Sequence, residues 1–174
     1  MRSILLAITL CLTTAAAHAA DIVERARADA ELSPLVGAAE AAGLIDTLKG
    51  EGPFTIYAPR NAAFDALPPE MVSDLLRPEN KGQLTDLLLY HVDDRKLTSN
   101  MFPIGASIFK PVLTTERLCI TSNQAGVSIA DSTAETANVV VADIKADNGV
   151  IHVIDKVLIP GKRPVCAKTK KHKR

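Results

Sequence analysis

The apolar residues change their spacing near Val92, and this change restricts the folds open to the chain. Before it, apolar side chains recur at helical intervals, most clearly over residues 79–91. After it, the runs 139–144 and 150–159 are rich in Val and Ile, and one earlier strand-like run lies at 54–58. Helices followed by strands predict an α+β domain in which helices cover a mostly antiparallel sheet.

Capping and turn residues set the expected ends of these elements. Asp21 can cap a first helix, and Ser33-Pro34 is typical of an N-cap followed by the first helical position. Residues 79–91 are expected to form the longest helix. Residues 113–122 and 127–130 are expected to pair as a hairpin across a four-residue loop.

The first 19 residues resemble a secretory signal peptide rather than part of the fold. Arg2 precedes an apolar run at 4–12, and Ala17-His18-Ala19 places small residues where a signal peptidase cleaves. The run is far shorter than the roughly 20 residues that span a bilayer. We therefore expect a chain without a membrane span, exported to the periplasm or secreted, with residues 21–160 as one domain.

Basic and acidic residues balance at 20 each, but they are unevenly placed. Residues 21–160 hold twelve Lys or Arg and twenty Asp or Glu, whereas 161–174 hold seven Lys or Arg and no acid. This basic C-terminal tail is either a solvated terminus or a segment that attracts anionic polysaccharide, lipid headgroups or nucleic acid. Export makes nucleic acid an unexpected partner, and an aromatic content of 3% argues against a surface that stacks on sugars or bases.

Removal of the signal would leave two cysteines, Cys119 and Cys166, in an oxidising compartment. An even number favours one disulfide, which would stabilise the fold by about 4 kcal/mol at most in the chain-entropy model. The alternative is two unpaired thiols, one in a strand and the other in the tail.

Three short motifs resemble the fasciclin domain family, in the same order and at suitable spacing. The first box, residues 54–67, is a strand followed by Ala-Pro, an Asn and Ala-Phe, and the second box is residues 148–160. Between them, Tyr90-His91 is similar to the Tyr-His motif of the family. The matching positions within the two boxes are Thr55, Pro59, Asn61, Phe64, Asn148, Gly149 and His152.

The resemblance covers residues 21–160 and implies a wedge of short, mostly antiparallel strands flanked by several helices. It also implies an adhesion or recognition module. In animal matrix members, the Tyr-His motif and an Asp-Ile pair before the second box are implicated in integrin binding. By resemblance, Tyr90, His91, Asp143 and Ile144 are therefore candidate interaction residues.

Elementary chemistry gives the boxes a folding role. Asn61 can cap the helical turn that follows Pro59, and Phe64 can then pack on the sheet. Asn148-Gly149 is a tight-turn signal that supplies positive φ angles before a buried strand. On this interpretation the boxes carry no chemistry.

His91 and His152 are the histidines of the expected domain, so a metal site with Asp143 or Asp155 is one hypothesis. The sequence lacks the ligand spacings of zinc and calcium motifs. We therefore expect His91 to be a buried imidazole bonded to backbone, and His152 to face outward from its strand. Asp93-Asp94 is expected to form a solvated turn, and no cofactor, metal or catalytic group is expected.

The sequence favours a non-enzymatic exported protein, expected to be a monomer, that binds a surface protein or an extracellular polysaccharide. A second hypothesis is a periplasmic carrier that holds a small apolar ligand in a pocket between helices and sheet. An enzyme or metal-handling protein that uses the two histidines is a third.

Overall fold

The structure, a computed structural model, describes residues 20–102, 104–105, 107–111, 117–133 and 135–161. The helices in this part are α1 (Ile22–Ala28), α2 (Ser33–Ala42), α3 (Ile45–Leu48), α4 (Asn61–Asp65), α5 (Pro69–Leu75) and α6 (Lys81–Leu89). The strands are β1 (Phe54–Pro59), β2 (Val92–Asp93), β3 (Ser107–Pro111), β4 (Arg117–Asn123), β5 (Gly126–Ala130), β6 (Thr136–Ala146) and β7 (Gly149–Ile154). Short 3-10 turns lie at Ala30–Leu32, Pro78–Asn80 and Ser99–Met101. Within these ranges, no helix has the length and apolar character needed to cross a membrane.

The strands form one sheet in the order β2-β1-β7-β6-β5-β4-β3. β1 and β7 run parallel, and the other neighbouring pairs of described strands are antiparallel. The predicted α+β fold with mostly antiparallel strands is therefore confirmed. The parallel pair aligns Phe54 with Gly149 and Pro59 with Ile154, so the two boxes lie side by side.

β1 and β7 are buried on both faces, because each face carries its own apolar core. On one face, α1, α2, α3 and α6 pack against residues that include Ile56 and Val153. On the other face, Tyr57 and Ile154 meet side chains of β4, β5 and β6 and of the segment 97–102. Burial on both faces explains why the apolar residues of these strands are not confined to alternate positions.

The first predicted helix cap is confirmed, and the next two are wrong. Asp21 Oδ1 accepts the Glu24 N–H at 2.8 Å at the start of α1. Ser33 is the first residue of α2 rather than its N-cap, and its Oγ donates to Ala30 O at 2.8 Å. Asn61 is likewise the first residue of α4, and its Nδ2 donates to the same Ala30 carbonyl at 3.0 Å. Both side chains bind the 3-10 turn before α2, so neither caps its own helix.

Two expected lengths also differ from the structure. The segment 79–91 is not the longest described helix, because α6 has nine residues and α2 has ten, and Pro78–Asn80 is a 3-10 turn. The β4–β5 hairpin pairs Asn123 with Gly126 and so has a two-residue loop, which the positive φ of Gly126 allows. Residues 113–116, expected in this hairpin, lie outside the described residues.

Asn148 and Gly149 close the β6–β7 hairpin without the expected positive φ angles. Glycine is required at 149 by space, since a Cβ there would collide with the Phe54 carbonyl oxygen on β1. The Asn148 amide donates to Leu48 O at 2.8 Å and accepts the Ile22 N–H at 3.0 Å. One buried side chain thereby joins this hairpin to the start of α1 and the end of α3.

Two glycines should respond in opposite ways to replacement by alanine. We expect Gly149→Ala to lower the free energy of unfolding by about 2 kcal/mol, because the methyl group overpacks the β1–β7 contact. Gly37→Ala should raise it by at most about 1 kcal/mol, because helix propensity improves and a Cβ there would meet no neighbouring atom within 4 Å. Urea unfolding of both variants measures the difference, and equal stabilities would contradict the steric role of Gly149.

Candidate functional site

Tyr90 and His91 follow α6 and lie in the core, so neither side chain presents surface to a partner. Tyr90 Oη donates to the Arg117 carbonyl at 2.9 Å. The Leu158 N–H donates to His91 Nε2 at 2.9 Å, so Nδ1 carries the proton and donates to the Leu87 carbonyl at 2.8 Å. His91 is thus a buried imidazole bonded to backbone, as predicted. Burial lowers the pKa of His91 to about 4, which keeps the ring neutral.

The expectation that His152 faces outward is wrong, because β7 has a core on each face. His152 Nε2 donates to the Leu97 carbonyl at 2.7 Å, and the Asp143 N–H donates to Nδ1 at 3.3 Å. Its ring stacks on that of Tyr57, with the ring centroids 6.0 Å apart. Burial lowers the pKa of His152 and raises the pKa of the neighbouring Tyr57 hydroxyl.

The two imidazoles do not form a metal site in this arrangement. Each ring uses both nitrogens in hydrogen bonds to backbone groups, so no nitrogen lone pair is left for a metal. In the described part of the chain, no group of three His, Cys, Asp or Glu side chains could hold a metal ion. Asp155, the other carboxylate of that hypothesis, accepts the Asn138 N–H at 2.7 Å.

Asp143 holds the segment after β2 against β6. It has a φ of 61° and lies at an irregularity of the β6–β7 pairing. Its Oδ1 accepts the Ser99 N–H at 2.8 Å, and its Oδ2 accepts the Ser99 hydroxyl. Burial alone would raise the pKa of Asp143, but the hydrogen bonds from Ser99 bring it below its ordinary value. Asp143 and Ile144 are half-buried, so of the predicted interaction residues these two reach the surface.

Thr55, in the first box, holds the same segment from the opposite side. Its Oγ1 donates to the Arg95 carbonyl at 2.5 Å and accepts the Leu97 N–H at 2.8 Å. Together with His152 and Asp143, it places one side chain from each of β1, β7 and β6 on residues 95–99. Thr55 of the first box and His152 of the second therefore satisfy the backbone of an irregular segment.

Two buried carboxylates were not expected from the sequence. Asp93 is buried and pairs with Arg95 at 2.8 Å, so the expected solvated turn is wrong for Asp93, whereas Asp94 is exposed as expected. Asp131 is buried, accepts the Ile159 N–H at 2.8 Å and pairs with Lys156 at 3.3 Å. The Arg two residues after Asp93 is a usable signal for the first pair. Asp131 and Lys156 are far apart in the chain, and no local pattern marks them.

The space between the helices and the sheet is almost filled. A cavity of about 40 Å³ lies there, and its lining is apolar apart from His91. This volume admits at most a few water molecules. This cavity, at the place where the carrier hypothesis puts its ligand pocket, therefore lacks the room that a carrier needs.

A larger opening lies among α2, α4, α5 and α6, and we call it the helical groove. It has a volume of about 870 Å³ and is open to solvent. Its polar lining side chains are Asp65 and Ser73. The other lining residues are Pro34, Gly37, Ala38, Phe64, Leu67, Pro69, Val72, Leu75, Leu76, Leu84, Leu87 and Leu88.

The helical groove exists because α5 is incompletely packed. None of its seven residues is buried. A hydrogen bond of 2.7 Å from Asn80 Nδ2 to the Asp74 carbonyl ties α5 to the turn before α6. Val72 is half-buried, and Leu76, just after the helix, is 51% exposed. On the opposite wall, Gly37 has no side chain to fill the space.

Comparison with known proteins relates the chain to a family and to longer relatives. A family model, the Fasciclin domain, matches residues 30–160. The chain is 43% identical over 141 residues to Protein sll1483 of Synechocystis, which covers 80% of this chain and 73% of that protein. It is 38% identical over 140 residues to transforming growth factor-beta-induced protein ig-h3 of Sus scrofa, which covers 80% of this chain and 19% of that protein.

The fold also matches a solved structure. A FAS1 domain pair from the insect cell adhesion molecule Fasciclin I superposes with a TM-score of 0.72 at 19% identity. The match covers 84% of this chain and 53% of that one. At this identity the likeness concerns the fold alone.

The buried imidazoles should make the protein less stable as the pH falls. Unfolded His91 has the ordinary pKa of 6.5 and folded His91 a pKa of about 4, so the unfolded state binds more protons between these values. We expect the free energy of unfolding to decrease by about 3 kcal/mol across this window from His91 alone. His152 acts in the same direction, since burial lowers its pKa as well. Urea unfolding at about pH 7, 5.5 and 4.5 measures the decrease.

The variant His91→Gln is the control for this pH dependence, because its side chain cannot take up a proton. It should be less stable than the parent chain near neutral pH, since two buried backbone groups lose their partner. It should also lose less stability on acidification. An NMR titration that places the pKa of folded His91 near its ordinary value would contradict the prediction.

The disulfide stays a prediction. Cys119 is buried on β4, whereas Cys166 lies outside the described residues. In the chain beginning at Asp21, we expect a thiol-alkylating reagent to add nothing before reduction and two groups after it, as read by intact mass. Reduction should lower the free energy of unfolding by about 4 kcal/mol at most. Alkylation of both cysteines without a reductant would contradict the bridge.

Proposed function

Because the chain belongs to the fasciclin domain family, we propose that it is an exported, non-enzymatic recognition module that binds a surface or extracellular-matrix partner. One solved structure that matches this fold comes from a cell adhesion molecule. We place the binding surface on the folded domain, with the partner a protein in preference to a polysaccharide, since the groove is apolar.

The observation that carries this proposal is the helical groove. The polar motif residues Thr55, His91 and His152 are hydrogen-bonded within the fold. The groove instead leaves apolar side chains in and just after α5 incompletely covered, and an exposed apolar patch often marks a binding surface. A binding role also agrees with imidazoles that are neutral and bonded on both nitrogens, because a general base needs a free nitrogen.

A second candidate function is a carrier of a small apolar ligand. The cavity between helices and sheet does not support it, but the groove volume of about 870 Å³ does. Small-molecule sites commonly occupy a few hundred to about 1,000 Å³. The ligand would then lie among the helices rather than against the sheet.

A pull-down from the envelope and matrix of the producing cell tests the main proposal. Two versions of the chain begin at Asp21 and end at Arg174 or at Pro160, and each is used at low and high salt. We expect both versions to retain the same protein at both salt concentrations, because apolar contacts are not screened by ions.

The other outcomes of this experiment point to different functions. Retention that needs the residues after Pro160 and is lost in high salt would make the basic tail an electrostatic anchor and contradict recognition by the domain. Retention by both versions that is lost in high salt would contradict an apolar contact. If neither version retains a partner, the small-ligand function replaces the main proposal.

A further inference from the structure

We infer that the helical groove binds an amphipathic α-helix of a partner protein, with an apolar face and a Lys or Arg beside it. The inference rests on the proposed recognition function and names the partner class. A peptide helix that lays its apolar face into a groove between helices is a common mode of protein recognition.

The walls of the groove match the geometry of a docked helix. Along α5 and its C-cap residue Leu76, the lining positions Pro69, Val72, Ser73 and Leu76 follow the i, i+3, i+4, i+7 pattern of one helix face. α6 supplies Leu84, Leu87 and Leu88 in the same spacing. Two helical stripes that face one opening give two ridges of side chains, between which the side chains of a further helix can fit.

The α2 wall permits close approach. Gly37 and Ala38 line the groove with the smallest side chains, and a Cβ added to Gly37 would have no neighbouring atom within 4 Å. Helix axes normally lie about 8–10 Å apart, and small residues at the contact allow the shorter end of that range. The space over Gly37 is therefore available to a side chain of the partner.

The charges around the groove favour a basic partner. The four helices that form it carry five Asp or Glu and one Lys. Two of these acids pair with arginines, Glu40 with Arg27 and Asp74 with Arg77. Asp65, in the groove lining, belongs to none of the ion pairs among the described residues. A Lys or Arg at the edge of a docked helix could pair with it, whereas an acidic helix would be repelled.

Two synthetic peptides test the charge and the helix together. They share one apolar face with Leu at i, i+3, i+4 and i+7 and differ on the other face, which carries Lys in one and Glu in the other. Fluorescence anisotropy with the full chain at about 150 mM salt measures each affinity. We expect the Lys peptide to bind at least about tenfold more tightly. Equal affinities would overturn the basic-partner inference.

A pair of glycine variants tests the place of binding. Gly37 and Gly82 are both helical, and a Cβ at either would meet no neighbouring atom within 4 Å, but only Gly37 lines the groove. Gly37→Leu should fill the groove and lower the affinity for the Lys peptide by about tenfold or more, while Gly82→Leu should leave this affinity unchanged. Both variants should be at least as stable as the parent chain, because helix propensity improves at both positions, and thermal unfolding checks this. Equal affinities for the two variants would overturn the groove as the site.

A second matched pair separates docking from charge attraction. Leu76→Glu and Val140→Glu each replace an apolar residue, 51% and 45% exposed respectively, by a carboxylate. Non-specific attraction would tighten binding of the Lys peptide to both variants. Docking in the groove should weaken it for Leu76→Glu alone, because a carboxylate would replace the apolar contact.

The remaining outcomes distinguish this inference from the proposed function. Dodecylammonium serves as a small apolar probe. If it binds the parent chain but not Gly37→Leu, while neither peptide binds the parent chain, the groove is a small-ligand site and helix docking is overturned. If Gly37→Leu retains the cellular partner as well as the parent chain does, recognition by the domain stands, but not through this groove.

Discussion

The parallel pairing of β1 with β7 is the contact on which the rest of the structure depends. Both strands are buried on both faces, so this one pair holds the helical core on one side and the core around Tyr57 on the other. The backbone approach is so close that position 149 has room for glycine alone. The adjacent Asn148 amide then ties α1 and α3 to the same point. Loss of the β1–β7 pairing would therefore remove the strands that both cores pack against.

The buried polar side chains of the motifs compensate for the irregular segments beside this pair. Regular strands satisfy each other's N–H and C=O groups. In the segments after β2 and after β7, some backbone groups have no strand partner and need a side chain instead. Thr55 and His152 bind the first segment at Leu97, and His91 binds the second at Leu158. An unsatisfied backbone group in the core would cost about 1–3 kcal/mol. This cost is a structural reason for polar residues at these positions, and it does not require a catalytic role.

The sequence was sufficient for the fold and insufficient for much of the site. Apolar spacing and the two boxes predict the α+β sheet, because the period of the apolar residues within a segment is a local signal for helix or strand. His152 was misplaced because alternation assigns one outer face to a strand, and β7 has a core on each face. Asn61 was misread because its partner, Ala30, lies in another element. The groove was not predicted, since residues 69–76 have the pattern of any amphipathic helix, and only the tertiary structure shows that its apolar face is incompletely covered.

The register of β1 with β7 also determines when the domain can fold during its synthesis. Phe54 and Gly149 lie about 95 positions apart, so β1 leaves the ribosome long before the strand it pairs with. Contacts of such sequence separation form slowly, because a long loop must close before they stabilise anything. The Ile22 N–H at the start of α1 donates to Asn148, so this hydrogen bond also cannot form until that late part of the chain has been synthesised. The domain fold therefore cannot be completed until β7, the last described strand, has been synthesised.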